Sequence, residues 1–205
     1  MHMIAWQWLG RRAYPSMWQR LRAHASAVAA EAAEEVIWCC EHEPVYTTGR
    51  RGVDNRRHDT LGAPFLRTDR GGETTFHGPG QLMLYPILHL RRRRLGVKAY
   101  VHLLEQSCID LLAEDGIVAE RRQGFPGVWT RHGKIAALGL HVAHGVAYHG
   151  MALNVHVDAR WFAAIDPCGT GLAVDRMVDH GVTPALPALA KRWAAAIERL
   201  LTVRH

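Results

Sequence analysis

The segment from Arg70 to Gln81 is the feature that most constrains how this chain folds. It reads Arg-Gly-Gly-Glu-Thr-Thr-Phe-His-Gly-Pro-Gly-Gln and places four glycines between two apolar runs that are typical of strands. Glycine lets the backbone approach a ligand closely, and Thr74, Thr75 and His77 supply polar groups at fixed offsets. The segment has neither the Gly-Lys-Ser/Thr of a phosphate-binding loop nor the Gly-x-Gly-x-x-Gly order of a dinucleotide site. We therefore predict a loop that holds a substrate, and phosphate binding is disfavoured.

Composition and patterning predict a single soluble globular domain over residues 1–205. Hydrophobic residues make up 48% of the chain and charged residues 21%, which argues against disorder. No apolar run reaches the roughly 18 residues that a membrane-spanning helix needs, and we expect no membrane partner. The chain shows no internal repeat and no linker rich in glycine, serine or proline, so one domain is the simplest division.

The periodicity of apolar residues predicts an α+β fold. Apolar stripes at three- and four-residue steps indicate helices over Ser16–Glu35, over residues 97–112 with a stop at Gly116, and over residues 186–200. Short runs between the helices indicate strands, and Arg131–Gly133 indicates a tight turn between two of them. The strand predictions are 36–40, 45–48, 65–68, 82–88, 128–130, 134–142 and 147–155. Neighbouring strands with helices set apart favour a mainly antiparallel sheet packed by helices.

The net charge predicts an acidic partner. A formal charge of +6 and a pI near 9.5 attract acidic macromolecules and raise their rate of encounter. The run Arg91–Arg94 is the natural place to expect nucleic acid. It has no aromatic stacking motif, helix-turn-helix pattern or RNP-type strand around it, so we predict no nucleic-acid partner.

Four cysteines are candidate nucleophiles, and we expect them to be reduced because their spacing fits no disulfide framework. Cys168 stands in Asp-Pro-Cys-Gly-Thr-Gly, a segment with the composition of an accessible loop. Cys108 falls on a helical apolar stripe, and Cys39 and Cys40 fall in a strand where alternation allows at most one to face a core; packing is the simpler interpretation for all three. For Cys168 the residues alone leave two alternatives open, a nucleophile and an inert loop cysteine.

A thiol nucleophile needs a base or cation beside it. Lys134 opens a predicted strand and shares a face with Ala136, Leu138 and Leu140, whose apolar surroundings would desolvate an amine. From spacing alone a solvated lysine is the simpler interpretation, and His77 and His149 are rival bases that spacing does not exclude. Histidines 141, 144, 149 and 156 match no zinc spacing, so we predict no metal and no cofactor.

Five motifs in this order resemble the octanoyltransferases of lipoate biosynthesis. They are Glu41–Gly49 (Glu-His-Glu-Pro-Val-Tyr-Thr-Thr-Gly), Arg70–Gln81, Gly133–Gly139 (Gly-Lys-Ile-Ala-Ala-Leu-Gly), His149–Val155 (His-Gly-Met-Ala-Leu-Asn-Val) and Pro167–Gly169 (Pro-Cys-Gly). The resemblance runs from about Trp8 to about Met177. It implies a biotin/lipoate protein ligase-like fold and an acyltransferase that moves an octanoyl group from octanoyl-acyl carrier protein to a lysine of a lipoyl domain.

Residue by residue, the resemblance implies that Cys168 carries the acyl thioester and that Lys134 is the acid/base. The implied substrate-binding residues are Arg70, Gly71, Gly72, Glu73, Thr74, Thr75, Phe76, His77, Ala137, Leu138, Gly139, Gly150, Met151 and Ala152. Phe76, Leu138 and Met151 are expected to line an acyl slot. His77 and His149 are left with positioning or binding roles.

The implied acceptors are the lipoyl domains of 2-oxoacid dehydrogenases and of the glycine cleavage H protein. Because the family-like pattern begins almost at Met1, we expect no removable presequence and a cytoplasmic location. Three alternatives stay open: an ATP-dependent lipoate-protein ligase of the same fold, an amidotransferase that moves octanoyl groups between lipoyl domains, and a non-catalytic basic module that binds acyl carrier protein or nucleic acid.

Overall fold

The computed structural model describes residues 3–50, 52, 61–165 and 173–202. Ten strands and four helices occur in this part of the chain. The strands are β1 (Ala5–Arg12), β2 (Val36–His42), β3 (Val45–Thr48), β4 (Phe65–Arg67), β5 (Thr75–His77), β6 (Gln81–His89), β7 (Glu120–Arg122), β8 (Phe125–Trp129), β9 (Lys134–Ala143) and β10 (Val146–Asn154). The helices are α1 (Tyr14–Ala29), α2 (Val97–Glu114), α3 (Arg160–Ala163) and α4 (Leu186–Thr202).

The strands form two sheets. A seven-stranded sheet has the order β1-β2-β6-β10-β9-β8-β7, and a three-stranded sheet has the order β4-β3-β5. Neighbours are antiparallel except for the parallel pairs β1–β2 and β3–β4. The predicted α+β class with a mainly antiparallel sheet is confirmed.

Helices cover both faces of the larger sheet, which explains why β6 is buried along its whole length. Alternate β6 residues such as Leu82 and Leu84 pack into a core with α2 and α4, while Met83 and Tyr85 pack into a second core with α1. The same arrangement buries both Cys39 and Cys40, each in a different core. The expectation that at most one of these two cysteines faces a core is therefore wrong, because it assumed a sheet with one solvated face.

Three of the four helices were predicted and the short α3 was not; the largest error in the bounds of a helix lies at the end of α1. The helix begins with Pro15 in its first turn, as expected. It ends at Ala29 rather than Glu35 because Glu31 adopts a left-handed φ of 60°. The chain reverses there and enters β2 at Val36. Ala32 and Val36 continue the apolar spacing of the helix beyond Ala29, which is why the sequence predicts a longer helix than the structure has.

Three strands were not predicted, the eight-residue β1 and the three-residue β5 and β7. β1 is a largely exposed edge strand with one buried residue, Leu9, so it carries little apolar alternation. β7 has three residues, all charged, and also lies at an edge of the sheet. β5 lies inside the glycine-rich segment and pairs with β3, with Phe76 opposite Tyr46. Pairing with a strand elsewhere in the chain, and not local propensity, makes β1 and β5 extended, while β7 pairs with β8, the next strand along the chain.

The hairpins of the larger sheet bring the family-like motifs together. Thr130 N–H donates to the Gly133 carbonyl (2.9 Å), which closes the predicted turn between β8 and β9. β9 then pairs with β10 so that Gly139 lies opposite Gly150. No helix in the described ranges is both long enough and apolar enough to cross a lipid bilayer.

We expect Ser107→Ala on α2 to lower the free energy of unfolding by about 1–3 kcal/mol, because it leaves a buried indole N–H without an acceptor. Trp193 Nε1 on α4 donates to Ser107 Oγ (2.9 Å), and both residues are fully buried. Ser16→Ala is the control, since Ser16 is exposed, and it should change stability by no more than about 0.5 kcal/mol. Urea denaturation measures both, and equal effects would contradict the assigned role of this bond.

Candidate active site

A cavity of about 410 Å³ opens between the glycine-rich segment and strands β6, β9 and β10. Its size is that of a small-molecule pocket. Fourteen of the residues singled out from the sequence line it: Arg70, Gly71, Gly72, Glu73, Thr74, Thr75, His77, Lys134, Ala137, Leu138, Gly139, Gly150, Met151 and Ala152. The fold thus brings together residues that are up to 82 positions apart in the chain, from Arg70 to Ala152.

Phe76 is the exception among the described residues, and the expectation that it lines an acyl slot is not met. Its side chain is fully buried in a third core, stacked on Trp161 with ring centroids 4.8 Å apart. Phe162 packs edge-on against the same ring. The strand β5 explains the difference, because neighbouring residues of a strand point to opposite faces. His77 lines the cavity and Phe76 anchors the segment from behind.

Arg70 holds the glycine-rich segment in place. Its buried guanidinium donates to the Thr47 carbonyl (2.6 Å) and hydroxyl (2.9 Å), to the Glu73 carbonyl (2.7 Å) and to the Gly71 carbonyl (3.0 Å). The planar fork of arginine suits several acceptors in fixed directions. The side chain therefore acts here as a brace for the loop, joining it to β3.

The glycine-rich segment runs along the cavity. At one end, Gly71 N–H donates to the Leu140 carbonyl on β9 (2.8 Å). At the other, His77 Nδ1–H donates to Gln81 Oε1 (2.7 Å), and Gln81 Nε2 donates to Asn154 Oδ1 (2.8 Å). Asn154 Nδ2 then donates to the carbonyls of Asp175 (3.1 Å) and Lys134 (3.5 Å). A buried chain of hydrogen bonds thus joins His77 to the backbone of Lys134.

Lys134 is held by its main chain beside the segment that follows Cys168. Its N–H donates to the Ala173 carbonyl (2.9 Å), and its carbonyl accepts from Asp175 N–H (3.0 Å), a parallel bridge across Val174. Gly133 permits this approach, because a Cβ there would collide with the Ala173 carbonyl. The Lys134 ammonium lies 4.7 Å from the centroid of the Trp129 ring, within cation–π range.

Cys168 falls in residues 166–172, outside the described part of the chain. The described backbone resumes at Ala173, five positions later, and Ala173 and Val174 line the cavity together with Lys134. The other three cysteines are fully buried, and burial raises the pKa of each thiol above its ordinary value. The interpretation of these three as packing residues is confirmed.

A carboxylate that sequence reasoning missed lies at the Leu140 end of the cavity. Asp69 accepts hydrogen bonds from Tyr148 Oη–H (2.6 Å), Trp18 Nε1 (2.7 Å) and His149 Nε2 (2.7 Å). Burial opposes ionisation of Asp69, but these hydrogen bonds outweigh it and hold the pKa of the carboxyl well below its usual value. Burial lowers the pKa of His149, against the raising effect of Asp69.

Sequence reasoning also missed Gln81, Asn154, Tyr14 and Trp129, all of which line the cavity. Gln81 and Asn154 belong to the motifs Arg70–Gln81 and His149–Val155. Each is a polar residue next to apolar strand residues, and this pattern could have marked them as site residues. Tyr14 stacks on His77 with ring centroids 5.6 Å apart. Nothing local marks Tyr14 or Asp69, because their roles arise from the packing of α1 and the glycine-rich segment against β10.

Comparison with known proteins assigns this arrangement to a family. A family model described as the lipoyl protein ligase A/B catalytic domain matches residues 16–198. An octanoyltransferase of Azoarcus sp. (strain BH72) is 46% identical over 195 residues, which cover 94% of this chain and 86% of that protein. One of Methylococcus capsulatus is 45% identical, with 96% and 93% of the two chains covered. The chain belongs to the octanoyltransferase family. It is accordingly an acyltransferase.

Solved structures agree on the fold. The crystal structure of lipoate-protein ligase A bound with ATP has a TM-score of 0.77 at 14% identity, covering 98% of this chain and 86% of the other. A biotin protein ligase of Aquifex aeolicus has a TM-score of 0.59 at 11% identity, covering 98% and 70%. The biotin/lipoate protein ligase-like fold predicted for this chain is therefore confirmed. At these identities the likeness concerns the fold alone.

We expect Arg70→Lys to lower the free energy of unfolding by about 1.5–3 kcal/mol, because an ammonium cannot replace the fork of bonds to Thr47, Gly71 and Glu73. Arg67→Lys is the matched control: Arg67 is exposed on β4, close by in the chain, and should change stability by about 0.5 kcal/mol at most. Guanidinium chloride denaturation compares the two. Similar losses at both positions would contradict a bracing role for Arg70.

Proposed function

We propose that this octanoyltransferase-family protein moves an octanoyl group from octanoyl-acyl carrier protein to a lysine of a lipoyl domain, through a thioester on Cys168. The observation that carries the proposal is the position of Lys134. Lys134 lines the cavity with its Nζ over the Trp129 ring, and its backbone is hydrogen-bonded to Ala173 and Asp175, which follow Cys168 in the chain. Four residues separate Cys168 from Ala173, and a stretch of that length can span the distance needed to bring the thiol to the amine.

The lining of the cavity suits a medium-length acyl chain. Leu138 and Met151 supply apolar surface, and Gly139 and Gly150, which lie opposite each other on β9 and β10, let the backbones of Gly71 and Leu84 pack closely against the two strands. Each methylene buried against such a wall contributes about 0.8 kcal/mol.

The proposed chemistry conserves atoms and protons. Lys134 takes the Cys168 proton, the thiolate attacks the thioester carbonyl, and the pantetheine sulfur leaves with that proton from Lys134. An octanoyl thioester on Cys168 remains. The amine of the acceptor lysine then attacks this thioester, Lys134 receives the proton that the amine loses, and the Cys168 sulfur leaves and takes that proton from Lys134. An amide replaces a thioester, so the reaction needs no nucleotide.

The surface charge supports acidic carrier proteins as donors. The formal charge of +6 attracts an acidic partner at long range. The proposed acceptors are the lipoyl domains of 2-oxoacid dehydrogenases and of the glycine cleavage H protein, on the strength of the family. We also propose that residues 1–205 form one catalytic domain. We propose a cytoplasmic location for the enzyme.

Incubation with octanoyl-acyl carrier protein should add one octanoyl group to the protein, and peptide mass spectrometry should place it on Cys168. Cys39, Cys40 and Cys108 are internal controls, because their buried thiols have raised pKa values and should stay unmodified. Cys168→Ala should abolish both the adduct and transfer to a lipoyl domain, without ATP in either assay. Full turnover by that variant, or a strict need for ATP, would favour a ligase mechanism instead.

Lys134→Met should slow both half-reactions on the order of 10²- to 10⁴-fold, the usual contribution of a positioned acid/base group. Methionine keeps the length of the side chain and removes the amine. The chain has two other lysines, Lys98 and Lys191, and both are exposed on helices, so Lys191→Met is the matched control and should react like the wild type. Single-turnover rates for each half-reaction provide the measurement. Wild-type rates for Lys134→Met would reassign the base.

A further inference from the structure

The ring of Trp129 lies against the amine that the proposed reaction uses. Lys134 Nζ is 4.7 Å from the centroid of this ring, within the range of a cation–π interaction. The two residues stand opposite each other across the β8–β9 ladder, and opposite residues of a ladder point to the same face of a sheet. Both line the cavity. The register of two paired strands therefore places the ring beside the amine.

The ring of Trp129 is fixed in its orientation. The residue is 1% exposed, and its Nε1 donates to the Phe125 carbonyl (2.9 Å). The Phe125 ring packs edge-on against it, with ring centroids 6.2 Å apart. On the same strand, Gly127 N–H donates to the buried carboxylate of Glu105 on α2 (3.0 Å). The indole therefore presents a constant face to the cavity, because both its own polar group and its strand are held by hydrogen bonds.

The side chain of Lys134 reaches the ring past a glycine. A Cβ at Gly127 would stand 3.6 Å from Lys134 Cε, in van der Waals contact, and would collide with the Ala136 carbonyl. Gly127 also has a φ of 117°, which residues with a side chain rarely adopt. The lysine side chain thus follows β8 from the backbone of Gly127 to the ring of Trp129.

A second cation lies over the same ring. The Arg122 guanidinium carbon is 4.8 Å from the ring centroid, and Arg122 Nη2 donates to the Thr130 carbonyl (3.2 Å). Its Nε is 3.7 Å from the carboxylate of Glu120. Arginine keeps its charge throughout the pH range in which proteins work, so Arg122 is a constant part of the field at this ring. Lys134 is the group beside the ring that gains and loses a proton in the proposed reaction.

An aromatic face attracts an ammonium but cannot take a proton from it, whereas a carboxylate can. The difference matters for an amine that must gain and release a proton in each half-reaction. We propose that Trp129 is a positioning residue of acyl transfer: its ring holds the Lys134 amine at the cavity wall and stabilises the ammonium each time Lys134 takes up a proton. The proton passes from Cys168 or the acceptor amine to Lys134 and then to the leaving sulfur. The inference rests on the proposed function for this role of Lys134.

Stepwise fluorination of Trp129 tests the proposal. Fluorine draws electron density from the face of the ring and weakens its attraction for a cation, while the ring keeps nearly the same shape. Because the chain has seven tryptophans, mono-, di- and trifluorotryptophan are incorporated at position 129 alone, by nonsense suppression in the full-length protein. Single-turnover rates of both half-reactions should fall with each added fluorine. The total loss should be about two- to thirtyfold, the range of a cation–π interaction expressed as a rate.

Competitive labelling with a trace of acetic anhydride measures the hold of the ring on the amine directly. The anhydride acetylates the neutral amine, so a lysine that is held as an ammonium reacts slowly. The quantity compared is acetylation of Lys134 divided by that of Lys191, an exposed lysine on α4. This ratio should rise in steps with the number of fluorines, by a factor similar to the loss of rate. Circular dichroism and thermal unfolding first show that each protein is folded.

Trp38 on β2 is the matched control. It is also a buried tryptophan with a cation over its ring, since the Arg20 guanidinium carbon is 4.2 Å from the ring centroid. Within the described residues Trp38 is not part of the cavity lining. The same fluorotryptophans at position 38 should leave the transfer rates and the labelling ratio unchanged. Rates and ratios that do not vary with fluorination at position 129, or that vary equally at position 38, would overturn the proposal.

The labelling measurement separates this inference from the proposed function, because it needs neither an acyl donor nor Cys168. A wild-type protein that transfers no octanoyl group would reject the proposed reaction, and the labelling ratio alone would then support or overturn the hold of the ring on the amine. Octanoyl transfer at rates that are insensitive to fluorination of Trp129 would overturn its positioning role and leave the proposed reaction standing.

Discussion

The main-chain bonds on either side of Lys134 are the interaction on which the site depends. They join the first residue of β9 to Ala173 and Asp175, so residues 173–175 form a parallel bridge beside the lysine. Backbone bonds of this kind do not vary with side-chain rotamers, which makes them a rigid way to hold two distant parts of a chain together. Gly133 is essential to the geometry because any side chain there would hold the two backbones apart.

Buried hydrogen bonds between side chains connect this clamp, the main-chain bonds of Lys134 to Ala173 and Asp175, to the rest of the cavity. The path from His77 through Gln81 to Asn154 ends on the carbonyls of Lys134 and Asp175, so one side chain touches both halves of the clamp. A fully satisfied buried network favours a single arrangement, because moving any member leaves a polar group without a partner. The same logic applies to Arg70 and its carbonyl acceptors. Residues that line the cavity are therefore held by further polar contacts behind them.

Several elements could be predicted because their signal is local. The stripes of α2 and α4, the strand at 45–48 and the turn at 131–133 are patterns of a few neighbouring residues, and the structure has them where expected. The failures have non-local causes. β5 exists only because β3 lies beside it, and both Cys39 and Cys40 are buried only because helices cover both faces of the sheet.

The amino-acid sequence alone determined the fold class, the glycine-rich segment as a cavity wall, and Lys134 and Cys168 as candidates for the chemistry, because residue types and motifs are local properties. Only the tertiary structure decided that Phe76 supports the segment from behind. It alone showed that Asp69 orients His149. These roles depend on strand register and on burial, which arise when distant segments pack and are not written in any short stretch of sequence.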